Sequence, residues 1–208
     1  MIKNIMLFLA FMGFACGPAC GPAELKTKQD TASVQEEVAP PSPPPEPQGV
    51  IAASDCQHVS LGDRVCNITL YDQYGEVWEM YDHEGDVIVL DFSAMWCGPC
   101  QAAGYYTQDL QDDYEPHGVK VVTILVDGQS YGAPPSVTEM DTWVRSHGIT
   151  TAPVLQGSRD FVFDPAGMTG YPISGFPTYI YIDRNMKLYN AHTGYNDQRA
   201  REIIDSAL

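Results

Sequence analysis

Residues 87–92, Val-Ile-Val-Leu-Asp-Phe, form an apolar run broken only by one aspartate, and Cys97-Gly-Pro-Cys100 follows five positions later. A continuous run of this length predicts a central strand covered on both faces. The helix that should follow begins at the two cysteines. A helix N-terminus presents unpaired N–H groups and the positive end of the macrodipole. A thiol placed there ionises more easily, and the thiolate is the nucleophile. Cys97 is therefore the candidate attacking sulfur, and Cys100, one turn further in, the candidate resolving sulfur. Pro99 in the first turn costs no hydrogen bond, because its N–H would have had no partner.

The rest of the chain supplies further elements in alternation. A β-hairpin is expected from residues 67–71 and 76–80, flanking Asp72-Gln-Tyr-Gly75. One helix is expected over residues 98–115, stopped by Pro116 and Gly118. Residues 119–126 read as a second core strand ending at Asp127-Gly128. Ser136 and Glu139 have the spacing of a capping box for a helix over residues 136–147, with Gly148 ending it. Val154, Leu155 and the Phe161-Val-Phe163 patch suggest a short strand and a turn. Residues 178–182 predict a third core strand, residues 187–192 its antiparallel neighbour, and residues 197–208 a closing helix. Strands alternating with helices predict an α/β sandwich around a mixed sheet.

The first 49 residues read differently. Lys3 and the apolar stretch 5–14 make residues 1–15 a signal peptide, too short to span a bilayer as a folded helix. Gly13-Phe14-Ala15-Cys16 resembles a bacterial lipoprotein box, with Cys16 lipidated and becoming the mature N-terminus. Cleavage by an ordinary signal peptidase at Gly13-x-Ala15 or Gly21-x-Ala23 is the alternative, and either way the mature protein is exported. Residues 16–49 have the composition of a tether. Its proline run 40–47, at about 3 Å per residue, would hold a domain roughly 25 Å off a surface. The folded domain is expected over residues 50–208. With 11 Lys and Arg against 27 Asp and Glu, the formal charge is −16. No basic stripe exists to neutralise phosphates, so nucleic acid is not an expected partner. The acidity itself reads as a solvated surface.

Two stretches together resemble one family. Asp91-Phe-Ser-Ala-Met-Trp-Cys-Gly-Pro-Cys100 resembles the active-site segment of thioredoxins, and Gly175-Phe-Pro177-Thr178 resembles their cis-proline loop. The exported address, the N-terminal hairpin and a strand–helix insertion between Asp127 and Pro177 resemble the TlpA/ResA-like branch, over about residues 67–208. The resemblance implies a thioredoxin-like three-layer sandwich, its mixed sheet flanked by helices. It also implies an exported thiol–disulfide oxidoreductase, acting as a reductant of protein disulfides and recharged by a membrane protein. Two positions depart from the pattern. Gln101-Ala-Ala103 follows the cysteines where the branch often has a glutamate, and Thr123 stands nearest to where thioredoxin has a lysine.

Each candidate residue also has a plainer reading. Cys97 and Cys100 could form a structural bridge or half a metal site. A zinc site of the usual kind needs a second Cys/His pair, and no other CxxC exists. Asp91 could be a hydrogen-bonded strand residue, but burial raises a carboxyl pKa and suits it to take the proton of Cys100. Pro177 could be an ordinary turn proline. In the cis-proline reading its loop lies beside Cys97, with the Phe176 backbone exposed to pair with an extended substrate. Trp96, Gly98 and Pro99 are then the substrate-facing surface around the nucleophile. Cys56 and Cys66 are expected to form a stabilising disulfide, a second redox pair being the alternative. The five histidines read as surface or packing residues. The dithiol carries two electrons, so no cofactor or metal is expected, and the protein is expected to be a monomer. A thiol peroxidase is a rival on the same fold, but Cys97 lacks the Pro-x-x-x-Thr-x-x-Cys context. A binding module with a purely structural bridge is another.

Overall fold

The computed structural model describes residues 59–159, 171 and 173–208. The leader over residues 1–15, Cys16, the tether 16–49, Cys56 and the Phe161–Phe163 patch lie outside them. A hairpin opens the described part: β1 (Thr69–Tyr71) pairs antiparallel with β2 (Val77–Glu79). The main sheet contains β3 (Val87–Ala94), β4 (Val119–Asp127), β5 (Val154–Gln156), β6 (Thr178–Ile182) and β7 (Leu188–Thr193), in the order β5-β4-β3-β6-β7. The pairs β3–β4 and β4–β5 are parallel, and β3–β6 and β6–β7 antiparallel. The sheet is therefore mixed, with β3 at its centre and all eight β3 residues buried. This is the burial that its unbroken apolar run requires.

Among the described residues four α-helices accompany the strands: α1 (Gly98–Gly104), α2 (Thr107–Tyr114), α3 (Val137–Ser146) and α4 (Asp197–Ala207). Alternation along the strands separates two faces. Val87, Val89, Val119, Val121, Tyr179 and Tyr181 pack against α1, α2 and α4. Ile88, Leu90, Phe92, Val122, Ile124 and Ile180 pack instead under the hairpin, against Ile68, Leu70, Trp78 and Met80, with Tyr171 and Ile173. A third cluster joins α3, through Met140 and Trp143, to Cys97, Cys100, Leu125 and Val154. The insertion between Asp127 and Pro177 contributes α3 and then β5, in that order. Ser136 and Glu139 form the expected capping box on α3.

The single helix expected over residues 98–115 is a correction. It divides at Tyr105 and Tyr106, where the Tyr106 N–H donates to the Ala103 carbonyl and tightens the turn. The division points the two rings apart. Tyr105 packs on His147 and Tyr106 stacks on Tyr195.

Candidate active site

Strand β3 delivers its C-terminal end to the turn Met95-Trp96, and Cys97 is the N-cap of α1. The two sulfurs are joined in a disulfide, with Cα atoms 5.2 Å apart. The Cys100 N–H donates to the Cys97 sulfur at 3.3 Å, so an N-terminal helix donor already points where a thiolate would carry charge. Cys97 is 6% exposed and Cys100 fully buried. That asymmetry fits one sulfur for an outside partner and one for an internal step. Trp96, Gly98 and Pro99 are exposed around Cys97. A Cβ on Gly98 would meet nothing within 4 Å.

Facing them is the loop before β6. The Phe176–Pro177 bond is cis, and the Phe176 carbonyl oxygen lies 3.6 Å from the Cys97 sulfur. The Thr178 hydroxyl donates to the Gly175 carbonyl at 2.7 Å and closes the loop. Phe176 is also edge-on to Trp96, with ring centroids 6.3 Å apart. Residues 79 positions apart in the chain thus share one small surface.

Asp91 sits on β3 two residues before Ser93, whose hydroxyl donates to its Oδ1 at 2.7 Å. The other oxygen has no partner among the described residues. Burial pushes the Asp91 carboxyl up to about 7, against the opposing pull of the Ser93 and Tyr179 hydroxyls. A carboxyl poised there exchanges a proton readily near neutral pH.

A second carboxylate was not legible in the sequence. Asp127, the last residue of β4, is buried and accepts the Trp96 indole N–H at 2.8 Å and the Gly132 N–H at 3.0 Å. Arg159 donates to both its oxygens, Nε to Oδ1 at 2.8 Å and Nη2 to Oδ2 at 2.6 Å. Burial raises this carboxyl, but the Arg159, Gly132 and Trp96 donors outweigh it and hold it below the usual range. The guanidinium lies 3.9 Å over the Tyr131 ring, which in turn packs on Trp96 at 5.2 Å. Trp96 is therefore fixed as well as exposed. The only signal available beforehand was an aspartate at a strand end.

Behind the turn, Met95, Trp96, Gln101, Gln129, Trp143 and His147 help to line a cavity of about 420 Å³ between α1 and α3. Cys66 is disulfide-bonded, and its expected partner Cys56 lies outside the described residues. His83 stacks on Trp78, and His147 and His192 are buried. Among the described residues no cluster of His, Cys, Asp or Glu has the arrangement of a metal site. Nor is any helix there long and apolar enough to cross a membrane.

The AhpC/TSA family model matches residues 61–191. A relative named thiol-disulfide oxidoreductase ResA, from Oceanobacillus iheyensis, is 30% identical over 134 residues, covering 64% of this chain and 59% of that protein. The chain thus spans under two thirds of that relative's length. The protein of the same name from Bacillus anthracis is 29% identical over 161 residues, 77% of this chain and 83% of that one. Among solved structures, a putative thiol:disulfide interchange protein DsbE from Chlorobium tepidum shares 28% identity with a TM-score of 0.54. The match covers 72% of this chain and 98% of that one.

Proposed function

The chain belongs to the AhpC/TSA family, and on that premise we propose that it is a thiol–disulfide oxidoreductase acting on protein substrates through Cys97 and Cys100. The observation that carries the reading is the Cys97–Cys100 bond at the start of α1, with the Cys97 sulfur beside the Phe176 carbonyl. Its relatives' names, thiol-disulfide oxidoreductase and thiol:disulfide interchange protein, agree.

In the reducing direction the Cys97 thiolate, stabilised by the Cys100 N–H, attacks a substrate disulfide and expels one substrate thiolate. A mixed disulfide between Cys97 and the substrate results. Cys100 then gives its proton to Asp91 and attacks the Cys97 sulfur, expelling the second substrate thiolate and leaving the Cys97–Cys100 bond. Two substrate thiols are formed and two enzyme thiols consumed, so electrons balance without a cofactor. An extended substrate segment lies along the Phe176 backbone, over Trp96, Gly98 and Pro99. The Gly-Pro pair between the cysteines, as in reducing thioredoxins, favours the role of reductant. The leader, Cys16 and the proline tether favour an exported, lipid-anchored protein served by a membrane electron donor.

Reduction of insulin by the dithiothreitol-charged protein tests this. Wild type should precipitate the insulin B chain, Cys97→Ser should abolish the reaction, and Cys100→Ser should accumulate a mixed disulfide visible by mass. Full turnover by Cys97→Ser overturns the assignment. A wild type that is inactive while its bridge stays intact would instead favour the binding module. A reduction potential near about −270 mV marks a reductant and one near about −120 mV an oxidant.

A further inference from the structure

Four buried side-chain polar atoms lack a hydrogen-bond partner among the described residues: Trp78 Nε1, Asp91 Oδ2, Thr123 Oγ1 and Trp143 Nε1. Two of the four belong together. Asp91 and Thr123 are register partners on β3 and β4, and alternation puts both on the face that carries α1 and α2. Leu125, two residues beyond Thr123 on that face, shares a packed cluster with Cys100. The two orphan atoms therefore lie between the helix-covered core and the buried sulfur.

Register partners hold their Cβ atoms about 5 Å apart, so a carboxyl and a hydroxyl there are one rotamer change or one water molecule from a hydrogen bond. An unpaired buried hydroxyl forfeits the hydrogen bonds it would make in water. A valine has nearly the same shape and carries no such cost. β4 uses valine, isoleucine or leucine at every other position from Val121 to Val126. A partnerless hydroxyl at the register position opposite a carboxyl that also has a partnerless oxygen is thus a poor choice for packing and a good one for holding a proton acceptor.

We propose that Thr123 is a positioning residue for the proton transfer between Cys100 and Asp91. Its hydroxyl donates to Asp91 Oδ2, directly or through one water, and so orients the carboxylate and favours its ionised form. The Cys100 S–H bond breaks, its proton passes to Asp91, and the sulfur's electron pair forms the bond to Cys97 as the substrate thiolate leaves. That thiolate later takes up the proton. The titratable group that the structure sets against Asp91 is Tyr179 on β6, its register partner, while Cys100 on α1 packs with Leu125 further along the same face. Tyr181 stands further along β6, and His192 on β7 stacks behind Tyr179. No ionised side chain is among the causes that set the state of Asp91. The inference rests on the oxidoreductase reading above.

The test follows the full-length protein, its free thiols alkylated while Cys97–Cys100 is bridged and that bridge then reduced with stoichiometric dithiothreitol, reacting with 5,5′-dithiobis(2-nitrobenzoate) between pH 5 and 9. The first aromatic thiolate is released when Cys97 attacks, the second when Cys100 resolves the mixed disulfide. Thr123→Val should leave the first release unchanged and slow the second about ten-fold near pH 7, a modest part of what general acid–base catalysis supplies. Its pH midpoint should move upward, because a donor to the ionised carboxyl has gone. Thr123→Ser should restore both. Thr123→Ala, whose second release should behave as that of Thr123→Val, serves if the valine variant does not fold by circular dichroism. A second release that is fast in wild type and unchanged in rate and midpoint in the variants overturns this inference alone. A wild type that never releases the second thiolate overturns the oxidoreductase reading, and this inference with it.

Discussion

Asp91 is buried with no ion pair among the described residues, so its proton couples stability to pH. Below the range of an unfolded carboxyl, both folded and unfolded chains hold the proton and Asp91 contributes nothing. Between about pH 4 and pH 7 the unfolded chain releases it while the folded chain, with its carboxyl raised to about 7, keeps it. Stability therefore falls as pH rises through this window, by about 4 kcal/mol in all, and the loss is complete above it. Asp91→Asn should be more stable than wild type at pH 8, with the gap closing towards pH 4, as measured by urea unfolding of the oxidised protein. A pH-independent gap would mean that the carboxyl ionises normally. Such a costly residue was legible in the sequence because it interrupts an apolar run. The cysteines were legible for the same local reason, being punctuation between a strand and a helix. Asp127 and Arg159 were not. They lie 32 positions apart, and only the fold brings a guanidinium onto that carboxylate. Thr123 was named in the sequence only through the family resemblance, and that its hydroxyl lacks a partner among the described residues was not legible, since a threonine in a β-rich run fits ordinary strand propensity.

At the scale of elements, the join between α1 and α2 is held by contact with α3. A Cβ on Gly104 would stand 2.7 Å from Cδ2 of His147. That ring has little room to yield, because Nδ1 and Nε2 lie 2.8 and 3.1 Å from the carbonyls of Trp143 and Gln101. Alanine at a helical glycine usually gains up to about 1 kcal/mol, whereas overpacking here costs ~1–3 kcal/mol. The clash should win. Gly104→Ala should lower the urea midpoint, and His147→Ala combined with it should recover much of the loss, a coupling that a double-mutant cycle reads directly. Additive effects would show that the ring gives way. This contact sits at the break between α1 and α2, which helical punctuation alone could not reveal. A similar long-range device fixes the turn before β5. The Gln108 side-chain oxygen accepts the N–H groups of Thr150, Thr151 and Ala152 at 2.7, 3.0 and 3.3 Å. The strands themselves were far easier to read, because burial of a whole sheet writes itself into consecutive apolar residues.

For the whole molecule, a formal charge of −16 at pH 7 is a self-repulsion that folding concentrates. The Debye length shrinks from about 30 Å at 0.01 M salt to about 3 Å at 1 M. Tm should therefore rise by several degrees across that range of potassium chloride. A flat or falling Tm would mean that paired charges, such as Arg201 with Asp113 and Asp197, dominate instead. The same scale gives the segment ahead of β3 a second meaning. Besides covering one face, it reaches both margins of the sheet. Gly62 and Val65 donate to the carbonyls of Leu188 and Met186, and the Leu188 N–H donates to Asp63. At the opposite margin Gln73 accepts the Val154 N–H at 2.8 Å, and Asp72 bridges Leu155. Exposed strand margins invite another chain to add itself. On the oxidoreductase reading proposed above, a protein that lays an extended substrate beside its own sheet would gain by having those margins already occupied. On that proposed reading, the segment ahead of β3 would leave such chains fewer places to stick.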